Sequence, residues 1–419
     1  MKVFKFGGAS VKDAAGVRNV AGVLSHFLQD DLLIVVSAMG KTTNALEEVV
    51  WAYGEGRDTR PMVEKLRAAH TAVLAEVAPG DEAAQAALDG SFRELQRTLG
   101  QRSSGRVDED YDQIVSLGEV WSTLVVSAHL KHAGFANTWF DARTVVRTDG
   151  RHRAAKVEWQ ACENLSARYL GPLFAARPGR VLTQGFIGRT AEGRTTTLGR
   201  EGSDFSAAIF AYLLDAESVT IWKDVPGMFN ADPKRFADTK LLSHISYREA
   251  IELSYFGASV IHPRTLQPLQ QKHIPLYVRS FVDLDAPGST IDDRSENDSL
   301  IPSFIVKPGQ LLISITPRDL SFIVEENLSG IFWLFAQRNV RIDLMQNSAL
   351  AFSVVVDDTP RAQELIAELR KGYEVRYNSG CDLVTVRHYD EPTLAALTTG
   401  REVLLEQRSR TTARFVLRS

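Results

Sequence analysis

The chain opens with Val3-Phe4-Lys5-Phe6 running into paired glycines, then a helical repeat over residues 13–28, then the apolar run Leu32-Leu33-Ile34-Val35-Val36. This reads as strand, turn, helix, strand. Runs that are apolar on both faces and joined by a helix predict neighbouring parallel strands in a covered sheet. Residues 45–99 predict several helices, interrupted by a polar gap at 54–60 and by Pro79-Gly80, and a longer helix is expected over 110–132. Strand patterns return at 136–140, 180–183, 218–222 and 275–279, with helices from Ser203, over 247–256 and after Pro263. Alternating strands and helices over roughly 280 residues predict one large α/β domain.

Residues 283–298 are polar, carry Pro287-Gly288 and read as a linker. The texture then changes. Strand-like 311–316, helical 321–338, strand-like 340–344 and 351–356, helical 360–371 and strand-like 373–377 give β-α-β-β-α-β, the ferredoxin-like order. A second unit begins at Asp382 and stops after β-α-β-β at 413–417, and the apolar stretch Ser303-Phe304-Ile305-Val306-Lys307 is available to supply a missing strand. The expected division is a catalytic domain over 1–282, a linker over 283–300, a first α+β unit over 301–380 and a second, truncated one over 381–419.

Composition narrows the classes. Hydrophobic residues make up 44% and charged residues 24%, an ordinary globular balance, and 48 basic against 52 acidic residues give a net charge of −4. That balance disfavours a general nucleic-acid binder. The two cysteines, Cys162 and Cys381, sit in no metal-ligand spacing, and no metal site is expected from them. The N-terminal apolar core is too short for a signal peptide and no run reaches 18 apolar residues, so the expectation is a cytoplasmic protein without a membrane span.

Three strings carry candidate chemistry. Lys5-Phe6-Gly7-Gly8-Ala9-Ser10 takes a lysine from a strand into paired glycines, whose backbone amides can approach a phosphate with no Cβ in the way. It is neither a Walker loop nor GxGxxG, and the alternative reading is a plain turn. Thr196-Thr197-Leu198-Gly199-Arg200-Glu201-Gly202-Ser203-Asp204 enters a helix. Backbone amides there favour an anion and Arg200 can hold a carboxylate, although Ser203 could equally be an ordinary N-cap. The third string, from Trp222 to Lys234, follows an apolar strand with a lysine and two aspartates, or is a solvated surface loop. Singly, Ser37, Thr43, Asn44 and Glu119 are unremarkable.

Together these strings resemble the aspartate kinases of the amino acid kinase family. The resemblance rests on residues 5–11, Ser37 with Thr43-Asn44, Ser116-Leu117-Gly118-Glu119, Gln184-Gly185-Phe186-Ile187-Gly188, 198–204, 224–233, and Phe256-Gly257 with Val260-Ile261-His262-Pro263. It implies a three-layer αβα kinase domain with a mostly parallel sheet, followed by paired ferredoxin-like ACT units that bind amino-acid effectors. It also implies transfer of the ATP γ-phosphoryl group to L-aspartate with Mg2+, the first step toward lysine, threonine, methionine and diaminopimelate. A kinase acting on glutamate, acetylglutamate, carbamate or a nucleoside monophosphate is the competing reading. A non-catalytic amino-acid sensor is the other.

Carried over by position, the resemblance places Lys5, Gly7, Gly8 and Ser37 at the phosphates and Asp204 as catalytic organiser. Thr43, Glu119, Phe186, Arg200 and Ser203 fall to the substrate, with Arg200 on the α-carboxylate and Glu119 on the α-ammonium. Lys223, Asp224, Phe229 and Lys234 fall to the nucleotide. Ala9 stands where the family usually has threonine, Glu201 where a second glycine is common, and Ser259 where many members have a phosphate-binding lysine, so Lys223 is expected to supply the moved cation. Asp343 and Ser348 resemble part of an effector interface, with lysine expected first and threonine second. The ACT units imply a homodimer, and the absence of a dinucleotide fingerprint implies a monofunctional enzyme.

Overall fold

Strands that are buried on both faces need helices above and below them, and the first unit is built on that requirement. The computed structural model describes every residue except Ala176, Ser259, Val260, Leu320 and Ser419. The chain divides into two compact units. The first holds Met1–Met228, Leu241–Ile251 and the segment running to Ser295; the second holds Phe229–Lys240, the short stretch from Glu252 and the C-terminal residues from Glu296.

In the first unit, β1 (Lys2–Phe6), α1 (Ala14–Leu24) and β2 (Leu32–Val36) are followed by α2 (Thr42–Gly54), α3 (Arg60–Val77), α4 (Glu82–Leu99), α5 (Val107–Val115) and α6 (Leu117–His132). Then come β3 (Thr138–Phe140), α7 (Trp159–Leu165), β4 (Arg180–Gln184), β5 (Ile187–Arg189), β6 (Thr195–Thr197), α8 (Gly202–Leu213) and β7 (Ser218–Lys223). The unit ends with β8 (His244–Ser246), α9 (Tyr247–Phe256, whose last turns group with the second unit), α10 (Pro263–Gln271), β9 (Leu276–Ser280) and β10 (Ser289–Asp292). Its eight-stranded sheet has the order β3-β4-β2-β1-β7-β9-β10-β8, and only the β9–β10 pair is antiparallel.

Phe4, Phe6, Leu32, Ile34 and Val36 pack on one face against Val17, Leu24, Leu46, Phe92 and Trp121 from the first helices. On the other face α8, with Ala207, Ala208, Ile209, Phe210 and Ala211 buried, packs on β1, β2 and β7 and is covered by α10. The result is the expected three-layer αβα arrangement. Among the described residues, no helix is long and apolar enough to cross a membrane.

Four details differ from the sequence expectations. The helix expected over 110–132 is two helices: at Ser116 the amide reaches Asp112 O at 3.4 Å, and Glu119 N bonds back only three residues, to Ser116 O at 3.2 Å. The β5–β6 hairpin and α7 carry too few residues to show a period. Residues 283–300 are not all linker, because β10 lies among them with Ser289 and Ile291 buried against β9. The strands expected separately at 303–307 and 311–316 are one strand, as are those at 373–377 and from 382.

The second unit contains β11 (Ser303–Pro317), α11 (Glu325–Gln337), β12 (Leu344–Asn347), β13 (Phe352–Asp357), α12 (Pro360–Leu369), β14 (Tyr373–Arg387), α13 (Glu391–Thr398), β15 (Glu402–Arg408) and β16 (Thr412–Arg418). Its six-stranded antiparallel sheet has the order β12-β13-β11-β14-β16-β15. β11 and β14 each run for 15 residues and pair twice, with irregularities of register between Lys307 and Leu312. Ile313 and Ile315 face Val375 and the α11–α12 core, whereas Ser303–Lys307 pairs with Leu383–Arg387 beside β16.

Candidate functional site

The carboxyl ends of β1, β2 and β4 open into a cleft of about 440 Å³, the position where parallel α/β sheets place their ligands. The end of β1 brings Lys5 and Gly8. The turn after β2 brings Ser37, Ala38 and Gly40, and the first turn of α2 brings Thr43. Glu119 comes from α6, Phe186 from the β4–β5 turn, and Arg200, Ser203 and Asp204 from the entry to α8. Nine residues expected at the site, Lys5, Gly8, Ser37, Thr43, Glu119, Phe186, Arg200, Ser203 and Asp204, therefore share one wall. Gly7 sits between two of them, with the Lys5 ammonium 3.3 Å from where its Cβ would be.

Charge in the cleft is mixed. Lys5 Nζ lies 2.6 Å from Asp204 Oδ1, with both side chains largely buried. Glu119 is buried, and its Oε2 has no hydrogen-bond partner among the described residues. Burial pushes its carboxyl up to about 8, against the opposing pull of the Ala38 amide and the Lys5 charge. A cation brought against this unpartnered oxygen would favour loss of the proton.

Close backbone approach shapes the walls. A Cβ on Gly8 would lie 2.7 Å from Ala38 O, and one on Gly185 would lie 2.5 Å from Ser203 Cβ. Phe186 follows Gly185 with φ +69°, its amide donating to Ser206 Oγ at 2.8 Å and its carbonyl accepting from Leu198 N at 2.9 Å. Glu201 precedes α8 with φ +54°. A left-handed residue is cheapest as glycine, which accounts physically for a glycine being common there and makes Glu201 a strained substitute. Ala9 is exposed in the short turn Gly8–Val11.

The expected nucleotide residues are placed differently. Lys223 ends β7, which runs parallel to β1 with Trp222 opposite Phe6, and Asp224 begins the turn that follows; neither lines the cleft. Phe229 and Lys234 lie in the stretch Phe229–Lys240, which belongs to the second unit. Ser259, whose missing lysine Lys223 was expected to replace, lies outside the described residues. Asp343 is largely buried and already accepts from Lys307, with Asp357 3.5 Å from the same ammonium, and Ser348 Oγ donates to Ala351 O.

Sequence reasoning missed Tyr111 and Arg153, which also line the cleft, and gave no separate role to Thr197 within its string. Arg153 stands in a loop with no periodicity, and nothing local sets Tyr111 apart on its helix.

Residues 1–280 match the amino acid kinase family. A lysine-sensitive aspartokinase 3 of Escherichia coli (strain K12) is 32% identical over 397 residues, spanning 92% of this chain and 86% of the relative. The crystal structure of E. coli aspartokinase III in complex with lysine and aspartate superposes with a TM-score of 0.83 at 28% identity, covering 99% of this chain and 95% of that one. The complex of E. coli aspartokinase III with aspartate and ADP gives 0.81 at 28% identity, over 100% and 96%.

Proposed function

The chain belongs to the amino acid kinase family, in its aspartate kinase branch, and from that premise we propose that it transfers the ATP γ-phosphoryl group to the β-carboxylate of L-aspartate, giving 4-phospho-L-aspartate. The observation that carries the reading is the convergence of the Lys5–Asp204 pair, Arg200 and the buried Glu119 in one cleft. A carboxylate is ionised at neutral pH and needs no general base. The barrier is repulsion between that anion and the polyphosphate, which positioned cations and backbone amides lower in a loose transition state. Arg200 takes the α-carboxylate, Glu119 Oε2 the α-ammonium, and Lys5, held by Asp204, faces the transferring phosphoryl group. Gly7, Gly8 and Ser37 supply amides and a hydroxyl for the phosphates, with Lys223 and Asp224 on the adjoining strand end. Mg2+ commonly takes only one or two carboxylates beside phosphates and water, so Asp204 would be the residue to hold it, and the ion would supply neutralisation of phosphate charge.

The test is acyl-phosphate formation trapped with hydroxylamine, with aspartate, glutamate and acetylglutamate compared, and UMP assayed for nucleoside diphosphate. Product from aspartate alone supports the reading, and turnover of any other substrate in its place overturns it.

Glu119 adds a pH signature. Its folded value near 8 exceeds its ordinary 4.5, so the free enzyme holds a proton that the unfolded chain lacks. Stability from this group is present below about 4.5 and is lost as pH rises through about 8. An ammonium bound at Oε2 favours the carboxylate, so aspartate binding at pH 7 should release close to one proton, and affinity should rise from pH 6 to 8. Calorimetry in buffers of different ionisation enthalpy measures this, and Glu119→Gln should abolish it.

The second unit supports a homodimer with an amino-acid effector. Phe322, Trp333, Met345 and Leu350 are exposed around α11 and the open edge strand β12, an apolar surface that a second copy would cover. Light scattering should give a dimer at micromolar concentration, and Trp333→Glu with Met345→Asp should give a monomer that still turns over. Lysine is the effector favoured by its lysine-binding relative, but an incoming ammonium must share Asp343 with Lys307. Tighter binding of threonine than of lysine in a titration would reverse that order.

A further inference from the structure

Aspartate presents two carboxylates and one ammonium, whereas the site built so far offers one free guanidinium. Lys5 is committed to Asp204. Among the described residues, the remaining cation on the cleft wall is Arg153, which the family resemblance did not single out. We propose that Arg153 is a second carboxylate receptor of this cleft, and that the buried carboxylate of Asp112 is the positioning residue that sets it there; this rests on the aspartate reading above.

The turn carrying Arg153 is built rather than loose. Arg153 has φ +64°, a conformation uncommon outside glycine. Its amide donates to Asp112 at 3.1 Å and 3.2 Å, and the neighbouring His152 Nδ1 lies 2.8 Å from Asp112 Oδ2. Asp112 is fully buried on α5 and also accepts from Thr197 Oγ1 at 2.6 Å. Thr197 ends β6, two residues before Gly199, where a Cβ would lie 2.9 Å from Arg153 O. One carboxylate thus ties the Arg153 turn to the strand that leads into Arg200.

The guanidinium itself lies over an aromatic ring. It lies 4.3 Å from the centroid of the Tyr111 ring, whose hydroxyl donates to Glu47 Oε1 at 2.9 Å. One of its nitrogens is 3.3 Å from the exposed Asp108, a surface pair that water weakens, and a guanidinium has donors to spare. Arg153, Arg200 and Glu119 together give two cationic forks and one anion, which complements an amino-dicarboxylate. A monocarboxylic amino acid would leave one fork unmatched.

The experiment is calorimetric titration of L-aspartate into the full-length protein, with KM for ATP measured alongside. Arg153→Ala should weaken aspartate binding roughly 10- to 100-fold, the usual worth of a hydrogen-bonded charge, with KM for ATP within twofold of wild type. Arg153→Lys should recover part of the loss. Asp112→Asn should weaken binding too, and Asp112→Asn/Arg153→Ala should bind no worse than Arg153→Ala alone, which a purely structural role for Asp112 would not produce. Arg153 is at the surface, so its variants test the receptor even if Asp112→Asn fails to fold. Aspartate affinity unchanged in Arg153→Ala, or additive losses in the double variant, would overturn the inference. A wild-type protein that binds no aspartate would sink the aspartate reading instead.

Discussion

Asp204→Ala should lower turnover by about 10³-fold or more while the protein stays folded. Its carboxylate lies 2.6 Å from Lys5 Nζ in a part of the cleft that is largely closed to water. Removing it releases the ammonium from the position where phosphoryl charge develops, and loss of one preorganised stabiliser commonly costs ~10²- to 10³-fold. The helix entry loses its acidic residue at the same step. Asp204→Asn keeps the shape without the charge and should fall between. Circular dichroism checks the fold and saturating-substrate kinetics check the rate; wild-type turnover in Asp204→Ala would remove this residue from the mechanism.

The second large effect should come from a single methyl group. In Gly185→Ala the new Cβ would lie 2.5 Å from Ser203 Cβ and 2.8 Å from Ser203 Cα, so the first turn of α8 must move. Overpacking of this kind costs about 1–3 kcal/mol. The larger consequence is kinetic, because Ser203 and Asp204 move together and a displacement of about 1 Å can cost ~10²-fold. We expect kcat/KM to fall about 10²-fold with a Tm lower by several degrees. Gly22→Ala is the control: nothing lies within 4 Å of its would-be Cβ on α1, and it should be neutral or slightly stabilising. Equal activity of the Gly185 and Gly22 variants would show that α8 tolerates the shift.

These two residues show what could be read in advance. The central strands were legible because Leu32–Val36 is apolar on both faces and Ser218–Lys223 carries Val219, Ile221 and Trp222 in a short run, patterns that burial favours. Gly185 entered only as part of a stretch that carried the resemblance, since its packing role depends on Ser203 eighteen positions later. Arg200 and Asp204 stood in a legible helix-entry string, but Glu119 has no local signature, and only the order of these residues along the chain, through a family resemblance, brought the three together. Arg153 stayed invisible, and the role of Thr197 unread, for a different reason: their positions are set by Asp112, a buried carboxylate about 40 and 85 residues away from them. Glu201 was visible as an odd residue, but the cause is a backbone angle that sequence does not display.

The double pairing of β11 and β14 has a consequence for how the C-terminal unit is made. Apart from the bond from Phe304 N to Asn230 O, Ser303–Lys307 finds its strand partner at Leu383–Arg387, so this half of β11 emerges during synthesis some 80 residues before that strand. Until then it is an unpaired edge, a template for other chains. The second pseudo-repeat borrows a strand from the first, and β11 and β14 run through both, so neither can be cut out and kept whole. The two halves must fold as one late, cooperative step, and that step is slow because its contacts are far apart in the chain.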